Sequence, residues 1–194
     1  MKRKIWTVLF LVIVVCVSTG MLNAIYVHTD PMVRKNERIK VQRSVLEVFD
    51  IPYEDTSISE IFKLSIDVQI LEDKALYRSR DGSMAFEISG PGFWGSISAM
   101  IALEFDLETI KGLKILKHAE TPGLGGRITE GWFQAQFRGK RVISELKIVP
   151  YGEAEGPNEV NAITGATQTS RAFEKIINSN MTVLLKALPR NPRR

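Results

Sequence analysis

Residues 81–105 read DGSMAFEISGPGFWGSISAMIALEF, and the order of side chains in this stretch decides what kind of domain the chain builds. Asp81-Gly82 is a turn signal, after which Met84, Phe86 and Ile88 alternate with other residues at the two-residue period of a half-buried strand. Gly90-Pro91-Gly92 ends that strand, because proline lacks the N–H that a ladder needs. Ser96 to Phe105 is a further apolar run of strand length.

Outward from this stretch the same reading repeats. Leu64, Ile66, Val68 and Ile70 alternate strictly and predict a strand with one buried face. Leu113 with Ile115, and then Val142, Ile143, Leu146 and Ile148, supply further strands, with Gly112 and Gly139-Lys140 as turns. Val33, Glu37, Val41, Val45, Leu46 and Phe49 fall at helical spacing and predict an amphipathic helix that Asp50, Pro52, Asp55 and Ser57 break. After Thr169-Ser170, a second amphipathic helix is predicted from Phe173, Ile176, Ile177, Leu184, Ala187 and Leu188, up to Pro189. Several strands with few helices between them predict an α+β fold with a mainly antiparallel sheet and flanking helices.

The 194 residues carry 44% hydrophobic content and a formal net charge of +4. Setting aside an apolar N-terminal stretch leaves roughly 160 residues, enough for one domain with a core. The sequence divides into an N-terminus with an anchor over 1–30, a folded domain over 31–188 and a basic tail over 189–194. Basic residues concentrate at the ends, in Lys2, Arg3 and Lys4 and in Arg190, Arg193 and Arg194. Internally they are not interleaved with aromatics along one element, so no nucleic-acid partner is expected. Cys16, the only cysteine, lies in the apolar run, and the only histidines, His28 and His118, are far apart, which speaks against a thiolate or histidine metal site.

Ile5 to Val27 contains no charge and is long enough to cross a hydrocarbon core, for which about 20 helical residues suffice. Trp6 and Tyr26 sit near its two ends, as in aromatic belts. Ser18 and Gly20 would suit a cleaved signal peptide, but Met21 to Val27 keeps the run apolar beyond them, which favours a retained anchor. Lys2, Arg3 and Lys4 pack directly against the first apolar residue and indicate a cytoplasmic N-terminus, although Arg34, Lys35, Arg38, Lys40 and Arg43 follow on the other side.

The chemistry concentrates ahead of the last helix, in Asn161-Ala162-Ile163-Thr164-Gly165-Ala166-Thr167-Gln168-Thr169-Ser170. Hydroxyls and a glycine cluster where a helix exposes its first N–H groups, which suits a phosphate; ordinary N-capping by Ser or Thr explains the same residues without a ligand. A second cluster is His118-Ala119-Glu120-Thr121-Pro122-Gly123-Leu124-Gly125-Gly126-Arg127-Ile128. Pro122-Gly123 sets a tight turn there, and Gly125 and Gly126 leave room for a backbone to approach a flat ring.

Thr164-Gly165-Ala166-Thr167 resembles the flavinylation motif of the NqrC/RnfG family, and Glu120-Thr121-Pro122-Gly123-Leu124-Gly125 resembles a second signature of the same family. Trp132-Phe133, Gln136-Phe137, Gly139-Lys140 and Gly90-Pro91-Gly92-Phe93-Trp94-Gly95 add softer matches, so the resemblance covers about residues 33–188. It implies an FMN-binding domain with FMN joined by a phosphoester to Thr167, with Thr169 and then Ser170 as alternatives should the register differ. The remaining implied cofactor contacts are Thr164, Gly165, Ala166, Glu120, Thr121, Gly123, Leu124 and Gly125, with Thr121 hydrogen bonding to and Leu124 packing on the isoalloxazine. Phe93 and Trp94 could stack on the ring or serve the core. Loading would come from a separate flavin transferase using FAD and magnesium, the Thr167 oxygen displacing AMP. The motif's acidic residue falls on Asn161, which has the shape of aspartate without its charge.

By the same resemblance the chain is expected to be the electron-transfer subunit of an Nqr- or Rnf-type ion-translocating oxidoreductase complex. It would be anchored with other membrane subunits in the bacterial inner membrane, its FMN domain on the periplasmic side. A stand-alone extracytoplasmic FMN carrier, or a membrane-anchored sensory or assembly module without redox turnover, are the other readings that the sequence leaves open.

Overall fold

The computed structural model describes residues 2–71 and 74–187, and these divide into two compact units after Lys40. The basic tail, with Arg190, Arg193 and Arg194, and Leu188 before it lie outside the described residues.

In the first unit, residues from Lys2 onward are helical and belong to α1 (Lys2–Val48). The apolar side chains from Ile5 to Val27 are exposed along it, and α1 is the one helix among the described residues long and apolar enough to cross a membrane by length and composition. The sequence suggests an anchor and a separate amphipathic helix; both belong to α1, with Pro31 inside it.

In the second unit, α1 ends by burying Val45, Leu46 and Val48, with Phe49 just beyond it. The stop is local chemistry. Asp50 takes a left-handed conformation (φ 57°), and the Ile51 N–H reaches back to the Leu46 carbonyl at 2.9 Å, closing the last turn. Helix α2 (Ile58–Ser65) follows, burying Ile58 and Phe62, four residues apart on one face. Leu64, expected in a strand, therefore belongs to α2, and β1 (Ile66–Leu71) begins two residues later. Val68 and Ile70 are exposed rather than buried: on β1, at the edge of the sheet, Ile66 alone is buried and neither face is covered beyond it.

Strands β2 (Lys74–Ser79), β3 (Met84–Pro91), β4 (Ser96–Leu103) and β5 (Ile110–Lys117) complete a five-stranded sheet in sequence order, antiparallel throughout. The expected antiparallel sheet is present. β4 lies inside it between β3 and β5, and the run from Ile97 to Leu103 is buried except for Ser98, so both faces are covered. Ile97, Ala99 and Ile101 face the main core with Phe133, Phe137 and Phe173. The start of the second unit is tied to β5 by Glu47, which accepts from Lys114 Nζ at 2.8 Å.

Beyond β5 come a 3-10 turn (Gly125–Thr129), α3 (Gly131–Ala135), β6 (Lys147–Val149), β7 (Glu159–Asn161) and α4 (Thr167–Ala187). β6 and β7 pair in parallel. Val142 and Ile143, read as strand, lie outside it: Val142 is buried with its N–H on the Glu108 carbonyl at 2.8 Å, and Ile143 is exposed. The turn and α3 are one turn or so each, too short to produce an apolar period. α4 packs on β3, where Asn180 Nδ2 donates to the Ser89 carbonyl at 3.0 Å. Phe173 of α4 meets Phe137 at 5.7 Å and Phe133 at 6.2 Å between ring centroids, closing the core.

This aromatic trio yields a stability test. Phe173 is fully buried, so Phe173→Ala removes transfer free energy and leaves a cavity; it should cost about 3–5 kcal/mol in denaturant unfolding of the domain.

Candidate functional site

Three segments distant in sequence meet around one carboxylate. Glu120 is only 3% exposed. Its Oε1 accepts the backbone N–H groups of Phe93 at 2.8 Å and Trp94 at 3.0 Å, in the turn that links β3 to β4. Its Oε2 accepts the hydroxyl of Thr169, in the first turn of α4, at 2.7 Å. Burial pushes the pKa of this carboxyl up, but the Thr169 hydroxyl and the amides of Trp94, Phe93 and Gly95 together outweigh it and hold the group below the usual glutamate range. The carboxylate is therefore ionised and saturated with donors from the protein itself.

Two glycines make room for it. A Cβ on Gly92 would come within 2.5 Å of Glu120 Oε1, and one on Gly125 would come within 2.8 Å of Oε2 and collide with Thr169 Oγ1. Sequence alone suggests that Gly125 admits a flat ring; in the folded chain it admits a carboxylate and a hydroxyl.

The start of α4 is built by a turn from Ile163 to Ala166, closed by the Ala166 N–H on the Ile163 carbonyl at 2.9 Å. Gly165, at the third position of that turn, has φ +80°, which a residue with a Cβ resists. Ser170 Oγ donates to the Ala166 carbonyl and accepts the Ile163 N–H, both at 3.1 Å, and is 1% exposed. The hydroxyls of Thr169 and Ser170 are thus consumed inside the protein. Thr164 and Thr167 are exposed, and Thr167 opens the helix at the end where unpaired N–H groups favour an anion.

Above the carboxylate lies a cavity of about 270 Å³, lined by Phe93, Trp94, Thr121, Leu124, Gly125 and the chain from Gly165 to Thr169 that leads into α4. Phe93 and Trp94 are 53% and 69% exposed and pack edge to face with centroids 5.2 Å apart, so they serve the cavity and not the core. Leu124, 48% exposed, stands beside them. Of the residues singled out from sequence, Thr121, Leu124, Gly125, Gly165, Ala166, Thr167 and Thr169 line the cavity, Glu120 lies beneath it, and Gly123 and Thr164 are exposed outside its lining. Gln168 lines it without having been singled out. A second hollow, lined by Leu71, Leu76, Phe86, Val183 and Leu184, is apolar and holds none of these motif residues.

The cavity joins an aromatic wall to a hydroxyl at a helix N-terminus. Those are the contacts that a flat ring and a phosphate require. Residues 92–182 match the FMN-binding domain family.

The motif resemblance is supported by relatives. The chain is 36% identical over 93 residues to the NqrC component of the Na(+)-translocating NADH-quinone reductase of Vibrio campbellii, covering 45% of this chain and 36% of that protein. It is 38% identical over 97 residues to the RnfG component of the Na(+)-translocating ferredoxin:NAD(+) oxidoreductase complex of Acetobacterium woodii, covering 49% and 46% respectively. The chain thus spans less than half the length of these curated relatives. Its fold matches the crystal structure of Shewanella oneidensis NqrC with a TM-score of 0.70 at 21% identity, over 79% of this chain and all of that one. It also matches the corresponding component of the Na(+)-translocating NADH-quinone reductase from Parabacteroides distasonis, with a TM-score of 0.69 at 19% identity, over 82% and 97%.

Within the FMN-binding domain, Asn161 has a structural partner that its sequence position does not reveal. Its side-chain amide donates to Gln136 Oε1 at 3.0 Å, and its backbone N–H donates to the same oxygen at 3.0 Å. Its Oδ1 accepts the N–H of Gly152 at 2.7 Å. Gln136 Nε2 faces the Asn161 carbonyl at 3.4 Å, so the glutamine cannot reverse without losing both of its ends.

Two outcomes follow from this chemistry. Asn161→Asp sets a carboxylate oxygen against Gln136 Oε1 and should destabilise the domain by about 1–3 kcal/mol in denaturant unfolding, with partial recovery in Asn161→Asp/Gln136→Lys. For Glu120, whose folded value is depressed, the stabilisation is present above the usual glutamate value of about 4.3 and is lost as pH falls through the lower folded value. Acid unfolding should therefore include a component that Glu120→Gln lacks.

Proposed function

We propose that this chain is the FMN-bearing electron-transfer subunit of a membrane-bound, ion-translocating oxidoreductase complex of the Nqr or Rnf type, with the cofactor on Thr167 through a phosphoester. The observation that carries the reading is the fate of the hydroxyls. Thr169 and Ser170 are buried and committed to internal hydrogen bonds, whereas Thr167 is exposed and on the cavity wall. The relatives named above, which are subunits of sodium-translocating complexes, support the wider assignment.

When bound, FMN supplies one- and two-electron redox chemistry, and the chain's own residues supply position and environment. The start of α4 favours the phosphoryl charge at Thr167, since the unpaired N–H groups of its first turn carry the positive end of the helix dipole. Phe93, Trp94 and Leu124 offer apolar surface to a flat ring, and Thr121 offers a hydroxyl to a ring heteroatom. The cavity is open on its aromatic side, which lets a redox partner approach the ring edge. Gly123, Thr164, Gly165 and Ala166 shape the two loops that frame it.

In this reading residues 1–30 are a cytoplasmic N-terminus and anchor, residues 31–188 form the FMN domain on the periplasmic side, and residues 189–194 are a basic tail. The partners are the other membrane subunits of the complex, and a separate flavin transferase for loading. Asn161 is held by Gln136 and Gly152, so the transferase meets a neutral residue at the motif's acidic position.

The test is covalent flavin on denatured protein. Full-length chain co-produced with a flavin transferase should be fluorescent in a denaturing gel and gain the mass of FMN less water on the peptide holding Thr167. Thr167→Ala should lose both signals and Thr169→Ser should keep them; a fluorescent Thr167→Ala protein would move the attachment elsewhere.

A further inference from the structure

We propose that Glu120 is a positioning residue of the FMN site, a buried anionic clasp that holds the aromatic wall of Phe93 and Trp94 at a set distance from the helix turn bearing Thr167. This rests on the function proposed above and assigns Glu120 a different part in it: the residue touches no cofactor and acts through the groups it holds.

Several observations lead there. The donors on its two oxygens come from two segments, one 26 and 27 residues away and the other 49, so one side chain joins its own loop to two otherwise separate pieces of the cavity wall. Both oxygens accept hydrogen bonds from the protein, and the residue is 3% exposed and does not line the cavity. The rings of Phe93 and Trp94 are exposed and pack mainly on one another, so their place is set through the backbone, at the very amides that Glu120 accepts. Thr169 lies two residues beyond Thr167 in the same helical turn, so fixing its hydroxyl fixes the end of α4 from which Thr167 projects. Gly92 and Gly125 lack the Cβ atoms that would displace the carboxylate, one from each loop.

The clasp also accounts for where a phosphate belongs. The Phe93 and Trp94 amides form a small anion-binding concavity, and the Glu120 carboxylate already fills it. A second anion is thereby excluded from that wall and left to the helix end at Thr167. The wall keeps its apolar faces for the ring.

Glutamine distinguishes clasp from ligand. Its oxygen keeps both backbone donors, and its amide donates to Thr169, whose hydroxyl turns from donor to acceptor. Alanine releases both sides, and Thr169→Val releases the helix side alone. The measurement uses the full chain in detergent with Trp6→Phe and Trp132→Phe, so that Trp94 is the one remaining tryptophan, and needs no flavin. Glu120→Gln should retain the Trp94 emission maximum and acrylamide quenching of the parent, and Glu120→Ala should shift the emission and raise the quenching with the far-ultraviolet circular dichroism unchanged. In transferase-loaded protein, Thr169→Val should alter flavin fluorescence yield while Thr169→Ser retains it.

If Glu120→Ala folds and leaves Trp94 unchanged, the clasp does not exist. If Glu120→Ala fails to fold, Thr169→Val decides: unaltered flavin fluorescence overturns the proposal, and an altered yield rescued by Thr169→Ser sustains it. Loss of covalent loading in the parent would sink the attachment reading alone, since the Trp94 measurement on unloaded chain would still stand or fall by itself.

Discussion

A single hydrogen-bonded carboxylate organises the end of the domain that matters. Glu120 gathers two backbone N–H groups and a hydroxyl into a buried cluster. An ionised group out of water is tolerated only when its lone pairs are satisfied, so the two segments that supply the donors are bound to each other and to the Glu120 loop by the cost of separating them. Charge-assisted hydrogen bonds are also stronger than neutral ones, which makes the cluster stiffer than a comparable set of amide contacts. The cavity above it inherits that stiffness.

The remainder of the domain serves as a platform. A five-stranded antiparallel meander, covered on one face by α4 and the Phe133, Phe137 and Phe173 cluster, carries the β3–β4 turn and the loop after β5 to the same end. The parallel pair β6 and β7 then delivers the chain into the turn ahead of α4. Function sits on connections while the sheet supplies rigidity, the usual division between loops and scaffold.

An open cavity has a chemical consequence on the proposed reading. Well over half of the Trp94 side-chain surface is exposed, so the site encloses a flavin only in part. Sites that hold small molecules reversibly bury most of the ligand surface. A covalent bond at Thr167, as proposed, would remove that requirement and leave the ring accessible for electron transfer to a partner. The helix end supplies favourable charge where the phosphoryl group would be joined.

Much of the architecture is legible in residue order. Alternation in Met84, Phe86 and Ile88, the apolar run of β4, the turns at Gly82 and Gly139 and the terminal amphipathic helix all report local backbone preferences or a one-dimensional burial period, whereas Gly112, read as a turn, lies inside β5. The two motifs point to the cavity's residues for the same reason: each is a contiguous segment. Leu64 misleads because its alternation with Ile66 spans the junction of α2 and β1, and α3 is too short to show a period. Residue order thus dictates several of the elements, the sheet class, the apolar N-terminal segment and the presence of hydroxyls at a helix start. Folding in three dimensions was needed to select which hydroxyl stays free, to have Gly125 clear space for a carboxylate, to turn Phe93 and Trp94 outward, and to set Asn161 against Gln136. Most of these depend on a partner 25 or more residues away or on exposure to solvent, and Gly125, five residues from Glu120, depends also on the distant Thr169 hydroxyl; none of this is encoded in local spacing.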